Sequence, residues 1–264
     1  MSKLHDKLAQ QIPPFRDEVK KLTKERGAQV ISQVSIEQAY GGMRGVKSLV
    51  CDTSEVPPDK GLIIRGIPIA QLTEKLPEEI LWLLLTGELP GKEEVQDLQA
   101  ELHKRAAVPE YVWSVLKAMP ADSHPMVMLN TAILVMERES VFRQRYDAGM
   151  KKDEYWTATL EDALNIIARL PAVAAGVYRM RFNKGDRIPS NPALDWAADY
   201  AHMLGLPDPK GEFAELMRLY MVLHSDHESG NVSAMTAATV NSALSDLYYA
   251  CLLYTSDAAD EEDS

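Results

Sequence analysis

From Leu223 to Ser233 the chain reads Leu-His-Ser-Asp-His-Glu-Ser-Gly-Asn-Val-Ser, a run dense in side chains that can bind or move protons. Upstream, Phe213, Leu216, Leu219, Tyr220 and Leu223 repeat with helical spacing, and four residues further that face reaches His227. Gly230 suits the left-handed position just past a helix end, and Asn231 suits the cap of a following helix. One helix is thus expected to end with an imidazole on its inward face, beside the free N–H groups and positive dipole end of the next. Such a junction favours an anion, so the pattern points to a pocket for a small carboxylate.

Other chemistries fit this run less well. His224, Asp226, His227 and Glu228 are ligand types, but the zinc-protease pattern of two histidines four apart enclosing a glutamate is absent, and no metal is expected. Ser225 lacks the Gly-x-Ser-x-Gly elbow of a hydrolase nucleophile. His224 alone, four residues after Tyr220, reads equally as a packing histidine. A second anion-binding pattern is Gly41-Gly42-Met43-Arg44-Gly45, where glycines let backbone N–H groups approach and Arg44 can grip a phosphate through two nitrogens. Arg65, next to Gly66, reads as either another anion contact or, in preference, a surface base.

The elements that must position these residues are mostly helical. Residues 2 to about 26 form an amphipathic pattern expected to break at Pro13-Pro14. Ser48–Asp52 and Leu62–Arg65 are expected to pair as a short β-hairpin across Pro57-Pro58 and Gly61. From Pro68 onward the pattern is helical. Pro77 opens a helix that Gly87 stops, with further breaks at Gly91, Pro109, Pro120, Pro125, Gly149, Pro171, Gly185 and Pro189–Pro192. His5, His103 and His202 read as surface groups, His124 before Pro125 as structural, and Trp113, Trp156, Tyr178 and Trp196 as core. After Asn231 a helix rich in Ser, Ala and Thr allows close approach of a neighbour. There is no Rossmann or P-loop glycine pattern.

Composition sets the outer limits. Hydrophobic residues make up 46% and charged residues 25%, the balance of a globular chain, and no stretch is apolar enough to span a membrane. The net charge of -11 argues against nucleic acid as a partner. Cys51 and Cys251 have neither metal spacing nor the number for a disulfide scaffold. The N-terminal stretch, with Asp6, Glu18 and Glu25, is unlike a transit peptide.

The motif His224-Ser225-Asp226-His227-Glu228-Ser229-Gly230-Asn231-Val232-Ser233-Ala234 resembles the signature of citrate synthases of the eukaryotic mitochondrial type. Tyr40-Gly41-Gly42-Met43-Arg44-Gly45, Leu81-Trp82-Leu83-Leu84, Lys104-Arg105-Ala106-Ala107 and Leu216-Met217-Arg218-Leu219-Tyr220 are similar to the same family in the same register. Three positions depart from its pattern: Ser229 stands where the family has Gly, Met235 where it has His, and Leu247 where it has Pro.

The resemblance implies an all-α, multi-helix large-domain portion over residues 1–250, with the short hairpin near 48–65 and the family's small domain missing. It implies condensation of acetyl-CoA with oxaloacetate to citrate and CoA, no cofactor beyond the substrates, a homodimer and a mitochondrial matrix location. It carries oxaloacetate contacts to His227 and Asn231, and CoA contacts to Arg44 and Lys152. Lys152 stands where the family usually has arginine, so it keeps the charge without the two-pronged fork, and it also reads as a solvated charge before a helix. The family's base, an aspartate, and its two histidine donors lie beyond Ala250, so no catalytic residue is assigned and an inactive fragment is expected. A 2-methylcitrate synthase and a non-catalytic truncated helical binding protein are the alternatives. Residues 251–264 read as an unrelated, disordered acidic tail, and Cys251–Glu261 resembles a translated sequencing adaptor.

Overall fold

Prolines and glycines punctuate the apolar runs of this chain, and the architecture follows that punctuation. The computed structural model describes residues 2–42, 45–47, 49–228 and 232–256. Its helices are α1 (Lys3–Arg26), α2 (Ile36–Tyr40), α3 (Pro77–Thr86), α4 (Lys92–Arg105), α5 (Glu110–Ala118), α6 (Pro125–Met136), α7 (Val141–Asp147), α8 (Tyr155–Arg181), α9 (Trp196–Leu204), α10 (Glu212–Leu223), α11 (Val232–Ser242) and α12 (Leu247–Ser256). The molecule is mostly helical, as the sequence implied. α3 shows the local logic: Pro77 occupies the first turn, where a missing N–H costs nothing. Gly87 then ends the helix at φ 80°, a left-handed conformation that glycine adopts without strain.

The strands are β1 (Ser54–Glu55), β2 (Ile63–Ile64) and β3 (Ile67–Pro68), an antiparallel sheet in that order. Glu55 faces Ile63 and Ile64 faces Ile67. The partner of 62–65 therefore lies at 54–55 rather than 48–52, and a third strand follows. Arg65 and Gly66, both at positive φ, form the two-residue turn between β2 and β3. That turn and the fully buried Ile64 set the register of the sheet.

α8 is the common wall. Its 27 residues contribute Leu160, Leu164 and Ala168 to a cluster with Leu4 and Leu8 of α1, Trp82 of α3 and Leu98 and Leu102 of α4. Further along, Ile166, Val173 and Val177 pack with Val112, Trp113 and Leu116 of α5, Met128, Ala132, Ile133 and Met136 of α6, and Tyr248 of α12. Ala175 meets Met203 and Leu204 of α9. A separate cluster joins Ile64, Leu72, Ile80 and Leu83 to Val222 of α10. Gly176 permits close approach of α5 to α8, since a Cβ there would lie 2.5 Å from the Trp113 ring.

Two expected helix breaks are absent. α1 runs through Pro13-Pro14, and α8 runs through Pro171. A mid-helix proline costs roughly 3 kcal/mol. Packing on both sides offsets that cost: Leu4, Leu8 and Ile12 dock before the α1 prolines, and beyond them Arg16 donates to the carbonyls of Lys152 and Asp153 at 2.9 and 3.2 Å. Pro171 is itself buried in α8. At the other end α12 crosses the boundary expected at Ala250 and reaches Ser256, with Cys251 and Leu252 packed on the α5–α6–α8 cluster. The rest of the acidic tail, 257–264, lies outside the described residues. Among the described residues no helix is long and apolar enough to cross a membrane.

Candidate functional site

α10 stops before His227. The His224 N–H donates to the Tyr220 carbonyl at 3.1 Å, and its Nδ1 donates to the same oxygen at 2.8 Å with the ring stacked on Tyr220. Ser225 Oγ donates to the Val222 carbonyl at 2.8 Å. These short polar side chains take the last helical carbonyls and end the helix. His227 is thus exposed in the following loop, which corrects the expectation of an imidazole on the inward helical face. The face expected to be buried is open beyond its first residue: Leu216 is 59% exposed and Tyr220 55%, while Phe213 and Met217 pack beside Met203 and Leu204, and Val222 joins the Ile64–Ile80 cluster.

The loop is held from a distance. His227 N–H donates to Asp226 Oδ1 at 2.9 Å. Glu228 N–H donates to Ser54 Oγ at 2.7 Å, and Val56 N–H donates to Glu228 Oε2 at 3.2 Å. Glu228 does this at φ 54°. Neither Ser54 nor Val56 stood out in the sequence, because a bond spanning more than 170 residues leaves no local pattern.

α10 itself is braced by Arg218, whose Nη2 donates to Asp195 Oδ2 at 2.6 Å. Asp195 caps α9 by accepting from Ala198 N–H at 3.1 Å. Burial works against its charge, but the guanidinium holds the carboxyl below the usual carboxylate range. Glu78 of α3 continues the chain of contacts, accepting from Trp196 N–H at 2.9 Å and from Gln99 Nε2 at 3.1 Å. Burial pushes its carboxyl upward.

The sequence-derived residues fall in three places. Arg44 and Asn231 lie outside the described residues, although α11 does begin at Val232, directly after Asn231. Gly42 and Gly45 hold φ 75° and 72°, left-handed values that glycine adopts without strain. Lys152 is exposed in a short 3-10 turn before α8, its carbonyl taken by Arg16, and none of the hydrogen bonds described joins it to the His227 loop. Clefts of about 770 Å3 between α5, α8 and the 185–192 segment, and about 790 Å3 between α1 and α8, are lined by neither His227 nor Lys152.

Three other assignments change. Arg65 is a brace, donating to the Leu84 carbonyl through Nε at 3.0 Å and Nη2 at 2.6 Å, and pairing with Asp52 at 3.0 Å. His5 is partly buried against Trp156, with ring centroids 5.2 Å apart. His103 donates to the Leu194 carbonyl at 3.0 Å rather than standing in solvent. His124 does cap a helix, accepting from Met126 N–H at 3.2 Å. Among the described residues no group of three or more His, Cys, Asp or Glu is placed to hold a metal ion.

The family model described as citrate synthase, C-terminal domain, matches residues 42–253. The chain belongs to the citrate synthase family. Mitochondrial citrate synthase 4 of Arabidopsis thaliana is 44% identical over 255 residues, covering 93% of this chain and 53% of that protein. Mitochondrial citrate synthase of Saccharomyces cerevisiae is 42% identical over 255 residues, with coverage of 93% and 54%. Mitochondrial 2-methylcitrate synthase of Yarrowia lipolytica is 44% identical over 253 residues, with coverage of 92% and 54%. This citrate synthase family chain therefore spans about half the length of the curated relatives it matches. Among solved structures, the citrate synthase of Pyrobaculum aerophilum superposes with a TM-score of 0.75 at 25% identity, covering 86% of this chain and 57% of that one. That of Thermoplasma acidophilum, solved with carboxymethyl coenzyme A and oxaloacetate, superposes at 0.69 with 21% identity, covering 85% and 56%.

Proposed function

We propose that this chain is the portion of a citrate synthase, residues 1–250, that presents His227 and Asn231 to oxaloacetate and Arg44 and Lys152 to the phosphates of coenzyme A. Residues 251–264 are then a tail foreign to the enzyme. The observation that carries the proposal is the family match over 42–253 with the His224–Ala234 signature inside it. An exposed imidazole five residues before a helix start suits a dicarboxylate, because an imidazole N–H donates and a helix start offers further N–H groups to share the charge. In the complete enzyme the product would be citrate and CoA and the location mitochondrial, in keeping with the names of the relatives; the homodimer rests on the family resemblance alone. Turnover needs a base for the acetyl methyl proton and donors for the enolate and the ketone, roles the family gives to residues after Ala250. The 264-residue chain is thus expected to bind and not to turn over.

Calorimetry with oxaloacetate tests this. His227→Ala is expected to weaken binding by at least about tenfold, or roughly 1.4 kcal/mol, while CoA release from acetyl-CoA stays at background for both proteins. Equal affinity of the two would defeat the substrate assignment, and turnover above background would defeat the assignment as an inactive portion. The Yarrowia relative, as similar as the Arabidopsis one, favours a second reading as a 2-methylcitrate synthase. Comparing propionyl-CoA with acetyl-CoA in the full gene product separates the two. A genomic reading frame that stops after Ser264 would instead favour a non-catalytic helical binding protein.

A further inference from the structure

We propose that Ser54 and Glu228 are positioning residues for His227, together forming a clasp that fixes the signature loop to the small sheet. This rests on the reading of His227 as an oxaloacetate contact. The His227 segment is pinned at both ends. Upstream, His224 and Ser225 are bonded to the last carbonyls of α10. Downstream, Glu228 engages β1 and the residue that follows it through two different groups: its N–H donates to Ser54 Oγ at 2.7 Å, and its carboxylate accepts from Val56 N–H at 3.2 Å. A single bond would leave the loop free to swivel. Two bonds to residues on either side of Glu55 fix its rotation as well as its distance.

Ser54 can serve as the fixed point because it lies opposite Ile64 in the sheet, and Ile64 is fully buried. The line of restraint runs from the core through Ile64 and Ser54 to Glu228 and its neighbour His227. Glu228 holds φ 54°, a conformation that non-glycine residues adopt only where surrounding contacts impose it. The clasp is the contact that imposes it. Among the described residues His227 bonds locally, through its N–H to Asp226 Oδ1, and the residue after it is the one tied to the sheet. Ser54 contributes a hydroxyl acceptor and Glu228 a carboxylate acceptor. Glutamine keeps the oxygen that accepts from Val56, whereas alanine at either position removes one arm.

The test uses the full 264-residue chain labelled at histidine and followed by NMR, with oxaloacetate titrated into each variant. In Ser54→Ala and Glu228→Ala the His227 backbone and ring signals are expected to shift and broaden. The His103 and His124 signals, which report on bonds elsewhere, should hold. Glu228→Gln should return the His227 signals toward wild type. Oxaloacetate affinity should fall by about tenfold in Ser54→Ala and recover in Glu228→Gln. His227 signals that superimpose on wild type in both alanine variants overturn the clasp. If Glu228→Ala fails to fold, Ser54→Ala, which removes one hydroxyl, decides by the same criterion. A wild-type chain that binds no oxaloacetate, with His227 still moving in the variants, leaves the clasp standing and sinks the substrate reading. Binding that is intact with His227 unmoved does the reverse.

Discussion

α8 and the loop after α10 are built on opposite terms. α8 buries side chains along its whole length and joins three of the four hydrophobic clusters. The Ser225–Glu228 loop has no fully buried side chain and is placed by a handful of polar bonds, two of them reaching across to Ser54 of β1 and to Val56 just after it. Apolar area stabilises α8, and a loss at one site is felt but shared. Geometry places the loop, where a single lost bond changes direction more than stability. The chain therefore separates what keeps it folded from what aims its candidate ligand group.

That separation breaks first if a core residue fails to matter. Trp82 is 1% exposed in the α1–α3–α4–α8 cluster, and Trp82→Ala is expected to cost about 3–5 kcal/mol, read as a lower urea midpoint. A change within experimental error would mean that the cluster is not a core.

A smaller effect concerns pH. Because burial raises the Glu78 carboxyl above its usual 4.5, its contribution is fully present below that value and is lost as pH rises through the raised folded value. Asp195 acts in the opposite sense. Its lowered carboxyl contributes above 3.8, and that contribution is lost as pH falls through the folded value. Glu78→Gln is therefore expected to flatten the decline in melting temperature above pH 4.5 without changing the acid limb set by Asp195. Parallel profiles for the two proteins would count against a buried, upward-shifted Glu78.

The smallest expected effect is the sharpest contrast. His227→Ala, at an exposed loop position, should leave unfolding free energy within about 0.5 kcal/mol while removing oxaloacetate affinity. A large loss of stability would place His227 in the scaffold instead.

What could be read from the sequence follows the same division. The Pro77 start and the Gly87 stop are legible because such signals act over a few residues and carry a local chemical reason. Pro13, Pro14 and Pro171 were misread as breaks because tertiary packing outweighed a local rule, and the sequence does not display what lies on the other side of the helix. The face continued to His227 failed for a related reason: periodicity showed where a helix could go, whereas His224 and Ser225 decided where it stopped. The Ser54–Glu228 contact was invisible, since β1 is two residues long and its partner lies far along the chain. The chemistry of the site was legible in its residue types, and its placement was not.

The unbroken course of α8 through Pro171 has a kinetic consequence. A helix shared by three clusters cannot open at one end without exposing apolar surface at another. Its amide protons should then exchange with solvent as one slow block, through near-global unfolding, rather than in a gradient from frayed ends to a protected middle. Residue 171 carries no amide proton, so it divides that block into two reporting segments within one opening event. Matched exchange rates on its two sides would mark the three clusters that α8 joins as a single cooperative unit.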